Sequence, residues 1–328
     1  MNRKITILVL GIILLSSMLI GCTSAGNDVA PSALRKELIL ADQFGIAYAP
    51  LEIMKDMQFL ETALAESGLE TIQVTWKKFG NTTAIREAML SGDLDVGFVG
   101  IPPFLLGMDN GMNWKIISGL SESKVALVTK DASLQSLADL TEQHKIILPQ
   151  PGSIQHILLQ MASKDQLGNA NAFDDQIIAL AHPDGVTAFT SGDSTQLHFT
   201  TPPYLQEDLK NQKTRELIDG EACFGDAFTF IVGICQEPLY EDRKVYDAIV
   251  KAMEDSINYM TENKEETIKI LAEVYEYTPE ALNAFLYEDQ MTFTTEVKGI
   301  DRFVEFMAET GTIKNTYTPQ SLFWESQN

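Results

Sequence analysis

The chain has 328 residues, a hydrophobic fraction of 45% and a formal net charge of −22 at pH 7. This length exceeds the usual size of one domain, and the composition is globular, so we expect two domains that each bury a core. The strong negative charge argues against nucleic acid or an anionic membrane surface as a partner, because both would repel it.

Residues 1–21 form a predicted export signal. Two basic residues precede an apolar run from Ile5 to Ile20, which is shorter than the roughly 20 residues that a membrane-spanning helix needs. The run ends in Leu-Ile-Gly-Cys, which resembles a bacterial lipoprotein signal, and this resemblance implies that Cys22 is lipidated after cleavage. Residues 22–36 are small and polar and predict a flexible tether. An uncleaved anchor helix is the alternative.

The next part of the chain alternates between apolar runs typical of buried strands and amphipathic stretches typical of helices. The predicted strands are Glu37–Asp42, Thr71–Trp76, Leu94–Val99, Trp114–Leu120 and Lys124–Thr129. The helices between them are expected to begin near Pro50, at Asn81 or Thr82, and at Pro102-Pro103, because these residue types favour the first helical turn. Such alternation predicts a mostly parallel sheet with helices on both faces.

Two stretches that lie one hundred residues apart share a pattern. Residues 88–105 (AMLSGDLDVGFVGIPPFL) and 188–205 (AFTSGDSTQLHFTTPPYL) both carry Ser-Gly-Asp, Pro-Pro and Leu at the same offset. In each, we expect a helix to end at a glycine in the left-handed conformation, Gly92 or Gly192, before a strand and a new helix opened by Pro-Pro. The repeat predicts two similar α/β lobes, with chance similarity as the alternative.

A second lobe is expected to begin near Ala126. Its predicted elements are the strands Lys145–Leu148, Gln176–Ala181 and Gln196–Thr200, a helix Ile154–Met161 capped by Ser153, and a helix opened by Pro183. The apolar run Thr229–Ile234 is predicted to cross back and pair with Lys124–Thr129, so that two crossings form a hinge. We therefore expect lobe 1 to comprise residues 37–125 and 228–328, and lobe 2 to comprise residues 126–227.

The remaining helices follow the second crossing, and their 3.6-residue periodicity predicts that they pack on lobe 1. They are Tyr246–Met260, Lys264–Tyr275, Glu280–Phe285 and Arg302–Thr310. Of the cysteines beyond the signal, Cys223 and Cys235 both lie in apolar, strand-like runs. We expect two buried thiols, although an exported protein could pair them.

No catalytic or metal-binding motif occurs in the sequence. The nucleophile elbow, the phosphate loop and the zinc-protease helix are all missing. The histidines do not fall at the spacing of metal ligands: His144, His156, His182 and His198. We therefore expect no metal, no cofactor and no enzymatic activity.

Uncharged polar residues follow the predicted strands at the points where helices begin. Ligands of such sheets sit beyond the carboxyl ends of the strands. Each helix start carries unpaired N–H groups and a partial positive charge of about half a unit, so several together can bind an oxyanion without arginine. Phe44, Tyr48 and Phe104 are expected to form an apolar wall. The predicted solute-contacting residues are Gln43, Phe44, Tyr48, Asn81, Thr82, Thr83, Ile101, Pro102, Pro103, Ser121, Ser153, Ile154, Gln155, His156, Thr201 and Pro202.

The stretches ADQFGIAYAP (41–50), GIPPFLLG (100–107), PGSIQHILL (151–159) and HFTTPPYL (198–205) resemble the substrate-binding proteins of bacterial ABC importers for nitrate, sulfonates and taurine. These proteins are related to pyrimidine-precursor binding proteins. The resemblance implies a two-lobed periplasmic-binding-protein fold of type II, in which two mostly parallel sheets flanked by helices are joined by two crossover strands. It also implies that the protein closes around a small solute and delivers it to ABC permease subunits. We further expect a monomer that the lipid on Cys22 holds at the periplasmic or outer face of the cell membrane.

The sequence leaves alternatives open for the class of solute and for the role of the protein. A sulfonate-, taurine- or nitrate-like anion is favoured, but no arginine or lysine stands in these loops, so a neutral heterocycle such as a pyrimidine precursor is the alternative. An exported enzyme with His156 as acid/base near Asp226 is a second alternative. A third is a sensor that signals through the acidic helix face of Glu262, Glu265 and Glu266.

Overall fold

The computed structural model describes residues 35–288 and 291–325, so the predicted signal, the lipidation site Cys22 and most of the tether lie outside the described residues. The strands are β1 (Glu37–Asp42), β2 (Gln73–Lys78), β3 (Val96–Gly100), β4 (Trp114–Glu122), β5 (Ala126–Thr129), β6 (Lys145–Leu148), β7 (Ile177–Ala179), β8 (Gln196–Thr200), β9 (Arg215–Asp219), β10 (Ile231–Gln236) and β11 (Thr292–Phe293). Apolar runs rich in Ile, Val and Leu form most of the central strands, as their periodicity predicts, whereas β9 and β11 were not predicted.

Helices connect and cover these strands. They are α1 (Ala49–Asp56), α2 (Phe59–Glu66), α3 (Thr82–Ser91), α4 (Ile101–Asp109), α5 (Ile154–Leu167), α6 (His182–Ser191), α7 (Tyr204–Leu209), α8 (Gly220–Phe224), α9 (Glu237–Glu241), α10 (Arg243–Glu262), α11 (Lys264–Tyr275), α12 (Pro279–Asn283) and α13 (Ile300–Glu309). Within the described ranges, none of the helices has the length and apolar character to cross a membrane. The long helix α10 packs on α1 and α2, beside the first sheet.

The strands form two sheets, each with parallel and antiparallel pairs. Their orders are β11-β4-β10-β3-β1-β2 and β7-β6-β8-β5-β9. β1 lies parallel to β2 and β3, and β6 lies parallel to β7 and β8, as the strand–helix alternation predicts. β10 and β5 are antiparallel to both of their neighbours. The expectation of mostly parallel sheets therefore holds for only part of each sheet. β5 is reached from the first sheet and β10 from the second, so neither follows a crossover within its own sheet of the kind that joins parallel strands.

The chain passes between the sheets twice, between β4 and β5 and between α8 and β10. The predicted pairing of Thr229–Ile234 with Lys124–Thr129 is wrong. β10 lies in the first sheet between β3 and β4, with Ile231 opposite Gly100. A strand that is apolar on both faces fits the centre of either sheet, so its periodicity could not indicate the partner.

The two stretches one hundred residues apart share their elements but not their helix caps. Gly92 follows α3 with φ of 79°, in the left-handed conformation that was expected. Gly192 follows α6 with φ of −76° and ψ of 174°, so the prediction of a left-handed cap is wrong there. A Cβ atom at Gly192 would lie 2.8 Å from the carbonyl oxygen of Ala188. The backbone at Gly192 therefore lies too close to Ala188 for a side chain, which explains why a glycine stands at this position.

Both predicted thiols are free cysteines, as expected. Cys235 is buried in β10, as predicted. Cys223 is half-buried and lies in α8, so the prediction of a buried thiol in a strand-like run is wrong there. Burial raises the pKa of each thiol to about 12, so neither forms the thiolate that makes a cysteine reactive at neutral pH.

Candidate functional site

A cavity of about 50 Å³ lies between the facing edges of the two sheets. Its lining comes from loops and helix starts of both sheets: Gln43, Phe44, Tyr48, Gly80, Asn81, Thr82, Gly100, Pro103, Pro149, Gln150, Ser153, Ile154, Gln155, His182, Phe230 and Ile231. A larger groove of about 740 Å³ lies between α5, β9, α8 and α13. We take the smaller cavity as the candidate site because the carboxyl ends of the parallel strands meet there.

The order of the strands brings the lining residues together. Gln43 follows β1, Asn81 lies beyond β2, and Gly100 is the last residue of β3. In the second sheet, Pro149 follows β6 and His182 lies beyond β7. These are the strands of the two parallel groups, and their carboxyl ends share one edge of each sheet. The cavity therefore occupies the position where such sheets bind ligands.

Phe230 and Ile231 also line the cavity, although the sequence analysis did not propose them. They stand at the amino end of β10. Because β10 is antiparallel to β3, its amino end lies at the carboxyl edge of the parallel strands, where Ile231 faces Gly100. The incorrect pairing of this strand is the reason that both residues were missed.

Five helices begin at the cavity. Tyr48, Asn81, Gly100 and Ser153 are the N-cap residues of α1, α3, α4 and α5, and His182 is the first residue of α6. Each of these helices directs the positive end of its dipole at the cavity. The first turns of α3 and α5 also carry backbone N–H groups without a helical partner, whereas prolines remove N–H groups from the first turns of α1, α4 and α6. A helix start at residues 201–203 was also expected here, but these residues do not line the cavity. The start of α6, which was not expected at the cavity, does line it.

Side-chain oxygens cap two of these helices, and the side chain of Gln43 holds the loop after β1 in place. The Asn81 Oδ1 atom accepts from the backbone N–H of Ala84 at 3.1 Å, and the Ser153 Oγ atom accepts from that of His156 at 3.3 Å. The Gln43 amide donates to the Thr82 hydroxyl and to a backbone carbonyl, each at 3.2 Å. The polar lining is therefore already ordered before a ligand arrives.

The structure brings some of the predicted contact residues to the cavity and leaves others outside it. Those that line it are Gln43, Phe44, Tyr48, Asn81, Thr82, Pro103, Ser153, Ile154 and Gln155. Those that do not are Thr83, Ile101, Pro102, Ser121, His156, Thr201 and Pro202. Lining residues that the sequence analysis did not include are Gly80, Gly100, Pro149, Gln150, His182, Phe230 and Ile231.

Several residues outside the cavity have structural partners instead. The Thr201 hydroxyl lies 2.6 Å from that of Ser123, where the chain enters the second sheet. The Thr83 hydroxyl donates to the side-chain oxygen of Gln150 at 3.4 Å and so links the two sides of the cavity. Ser121 is fully buried within β4. Phe104, expected in the apolar wall, is also fully buried and stacks on a tryptophan in the core.

His156 turns away from the cavity. Its Nδ1 atom accepts from the backbone N–H of Gly152 at 2.9 Å, and its Nε2 atom lies 3.0 Å from a carboxylate oxygen of Asp174. Both ring nitrogens are therefore engaged in holding the loop before α5. The alternative of an acid/base pair between His156 and Asp226 is not supported, because the carboxylate partner is Asp174.

Among the described residues, those that line the cavity include no Asp, Glu, Lys or Arg. Next to Phe44 lies a cluster of four charged side chains, which are Asp42, Glu52, Lys55 and Lys78. The Lys55 ammonium lies 2.8 Å from Asp42 and 3.1 Å from Glu52, and that of Lys78 lies 3.2 and 3.0 Å from the same two carboxylates. The cluster has no net charge when all four groups are ionised. It fixes the end of β1 and the loop that carries Gln43 without adding a cation to the cavity.

Metal binding was not expected from the sequence. Within residues 35–288 and 291–325, no group of three His, Cys, Asp or Glu side chains is placed to hold a metal ion.

No protein-family model matches the chain, and no curated protein matches its sequence. Solved structures do resemble it. The alkanesulfonate-binding protein SsuA from Xanthomonas axonopodis pv. citri, bound to MOPS, superposes with a TM-score of 0.72 at 18% identity, over 89% of this chain and 99% of that one. The periplasmic aliphatic sulphonate binding protein SsuA from Escherichia coli has a TM-score of 0.68 at 19% identity, over 88% and 97%.

The periplasmic nitrate-binding protein NrtA from Synechocystis PCC 6803 has a TM-score of 0.59 at 16% identity, over 80% of this chain and 74% of that one. A Candida albicans protein described as having the generic periplasmic binding protein fold has a TM-score of 0.66 at 13% identity, over 86% and 92%. At these identities the likeness concerns the fold. The chain therefore has the periplasmic-binding-protein fold, with its cavity between two helix-flanked sheets.

Proposed function

We propose that this chain is an extracytoplasmic solute-binding protein that delivers a small organic solute to an ABC importer. The observation that carries the proposal is the convergence of five helix starts, from both sheets, on one uncharged cavity. The similarity to sulfonate- and nitrate-binding structures supports it. In this proposal, residues 37–125 with 228–328 and residues 126–227 act as two lobes that close on the solute.

The favoured solute is an oxyanion of the sulfonate, taurine or nitrate type. Backbone N–H groups at helix starts bind such groups without a positively charged side chain. Phe44, Phe230 and Ile231 provide an apolar wall for the rest of the molecule. The cavity of about 50 Å³ is far smaller than the ~300–1,000 Å³ of sites for drug-sized ligands. A solute of a few non-hydrogen atoms therefore fits this cavity, and a larger one requires the lobes to part.

A neutral heterocycle such as a pyrimidine precursor is the second candidate. The uncharged lining favours it, because a neutral ring loses little hydration when it enters such a site. The rings of Phe44, Tyr48 and Phe230 offer surfaces on which a flat solute can stack.

The proposal includes a cellular setting. The protein is exported, anchored by lipid on Cys22 at the outer face of the cell membrane, and acts as a monomer that docks on ABC permease subunits. The likeness to periplasmic binding proteins supports an extracytoplasmic location. Labelling with a radioactive fatty acid, compared between the native chain and Cys22→Ala, tests the anchor.

Isothermal titration calorimetry tests the solute class. The protein is first unfolded and refolded under dialysis, so that any co-purified solute is lost. Methanesulfonate, longer alkanesulfonates, taurine, nitrate and aminopyrimidines are then titrated in turn. We expect saturable heat with small oxyanions and weaker binding as the alkyl chain grows. Binding of aminopyrimidines alone favours the second candidate, and the absence of heat with every member of the panel contradicts the proposal.

A further inference from the structure

One polar side chain of the cavity lining differs from the others in its hydrogen bonding. Within residues 35–288 and 291–325, the hydroxyl of Tyr48 makes no hydrogen bond, whereas every other polar side chain that lines the cavity makes at least one. The paired side chains are those of Gln43, Asn81, Thr82, Gln150, Ser153, Gln155 and His182. The phenolic group of Tyr48 is therefore the polar side-chain group of this lining that is left for a ligand.

The Tyr48 hydroxyl is surrounded by protein but is not sealed from the cavity. Tyr48 is the N-cap residue of α1, in the turn after β1, and only 4% of its surface is exposed. The side-chain polar atoms that are both fully enclosed and without a partner belong to other residues, such as Asp42 and Ser121. The small surface that the Tyr48 hydroxyl keeps therefore faces the cavity that this residue lines.

An unpaired hydroxyl in such a position is unusual, because a buried tyrosine normally finds a hydrogen-bond partner for its O–H group. Two other tyrosines of the chain follow this rule. The Tyr275 hydroxyl donates to the Gly45 carbonyl oxygen at 3.3 Å, and the Tyr287 hydroxyl donates to the Met260 carbonyl oxygen at 2.9 Å. The exception at Tyr48 lies at the cavity, which indicates a partner that arrives with the solute.

The Tyr48 hydroxyl is a donor at physiological pH. Burial, with further contributions from the nearby Asp42 carboxylate and from Tyr204, raises the pKa of Tyr48 well above its ordinary value, so the proton stays on the oxygen. The positive ends of five helix dipoles face the same cavity and favour the oxygen-bearing end of a solute there. The group that this hydroxyl meets is therefore a hydrogen-bond acceptor.

We propose that Tyr48 is a solute-contacting specificity residue, whose phenolic O–H donates a hydrogen bond to an oxygen atom of the bound solute. This inference rests on the proposed function and deepens it. It assigns to the solute a side-chain donor from the first sheet, in addition to the backbone N–H groups of α3 and α5. A solute without an acceptor at this position leaves the hydroxyl buried and unpaired, and the site discriminates against it for that reason.

Tyr48→Phe tests the assignment, because it removes the hydroxyl and keeps the ring. Tyr287→Phe is the matched control, since the Tyr287 hydroxyl has a partner in Met260 and does not line the cavity. The probe in calorimetry is methanesulfonate, or an aminopyrimidine if the native protein binds only that class. We expect Tyr48→Phe to bind methanesulfonate about ten- to a hundredfold more weakly, or an aminopyrimidine at least about threefold more weakly, and Tyr287→Phe to bind like the native protein.

Thermal melting separates this role from a structural one. Without solute the Tyr48 hydroxyl has no partner to lose, so Tyr48→Phe should melt at or above the native temperature, whereas Tyr287→Phe should melt at a lower temperature. Solute should also change the near-ultraviolet absorbance of tyrosine in the native protein and in Tyr287→Phe, and this change should be weaker in Tyr48→Phe.

Three results would overturn the assignment while leaving the solute-binding proposal standing. They are equal affinities of Tyr48→Phe and the native protein, the same loss of affinity in both variants, and a melting temperature of Tyr48→Phe as low as that of Tyr287→Phe. Failure of the native protein to bind any member of the panel overturns both.

Discussion

Replacement of Gly100 by valine should hold the two sheets apart at the candidate site. Gly100 ends β3 at the cavity, and a Cβ atom there would lie 3.0 Å from Cδ1 and 3.1 Å from Cγ1 of Ile154, the first residue of α5. The φ of Gly100 is −70°, which any residue adopts, so its backbone conformation does not require glycine. The close approach of the second sheet is the reason for a residue without a side chain.

The size of the effect follows from that contact. One methyl group requires the Ile154 side chain to move by a few tenths of an ångström, whereas valine adds two more carbons in the same gap. Overpacking of this kind costs about 1–3 kcal/mol. If this free-energy cost is borne by the closed form, a smaller fraction of the molecules is competent to bind the solute. The apparent affinity then falls by a factor of about 5 to 150. Gly100→Ala should lie between the native protein and Gly100→Val.

Calorimetry with methanesulfonate, together with small-angle X-ray scattering, tests this expectation. Gly80→Val is the matched control, because Gly80 lines the same cavity but a Cβ atom there would meet nothing within 4 Å. We expect Gly100→Val to have a larger radius of gyration than the control with solute present. Unchanged affinity and unchanged scattering for Gly100→Val would refute the reasoning. A loss of thermal stability as large as the loss of affinity would place the cost in folding instead of closure.

Two further predictions concern stability and its pH dependence. A Cβ atom at Gly107 would overlap the buried ring of Trp114, so Gly107→Ala should lower the free energy of unfolding in a denaturant titration by about 1–3 kcal/mol. Desolvation opposes the charge of Asp109, but hydrogen bonds from the Lys314 and Asn315 backbone N–H groups outweigh it and hold the pKa of this carboxyl below its usual value. The stability that Asp109 adds is therefore present at neutral pH and lost as pH falls through its folded pKa, so the difference between the native protein and Asp109→Ala should shrink below about pH 4.

Each of these predictions has a result that contradicts it. Gly80→Ala is the control for Gly107→Ala, and equal stability of the two variants would mean that the core around Trp114 adapts without cost. For Asp109→Ala, thermal melts are compared between about pH 7 and about pH 2.5. A stability difference that stays constant across this range would show that the carboxylate charge is not what holds the C-terminal segment.

Local patterns in the sequence placed most of the strands and helix starts, although β9, β11, α2 and α8 were not predicted. Apolar runs of strand length, followed by Asn81 or Ser153 as caps, define where a strand ends and a helix begins, and these features depend only on neighbouring residues. The repeated Pro-Pro and Ser-Gly-Asp patterns likewise indicated two similar α/β units. For these reasons, much of the cavity lining could be proposed before any coordinates were considered.

The tertiary structure decided which of these local elements meet. β10 is buried along almost its whole length, so its pattern did not indicate a partner, and only packing determined that it lies beside β3 and brings Phe230 and Ile231 to the cavity. The start of α6, and not residues 201–203, faces the other lining helices, and this places His182 in the site. Strand pairing joins residues far apart in the chain, and the free energy that selects the partner comes from burial across the whole interface, which the periodicity of a single segment does not record.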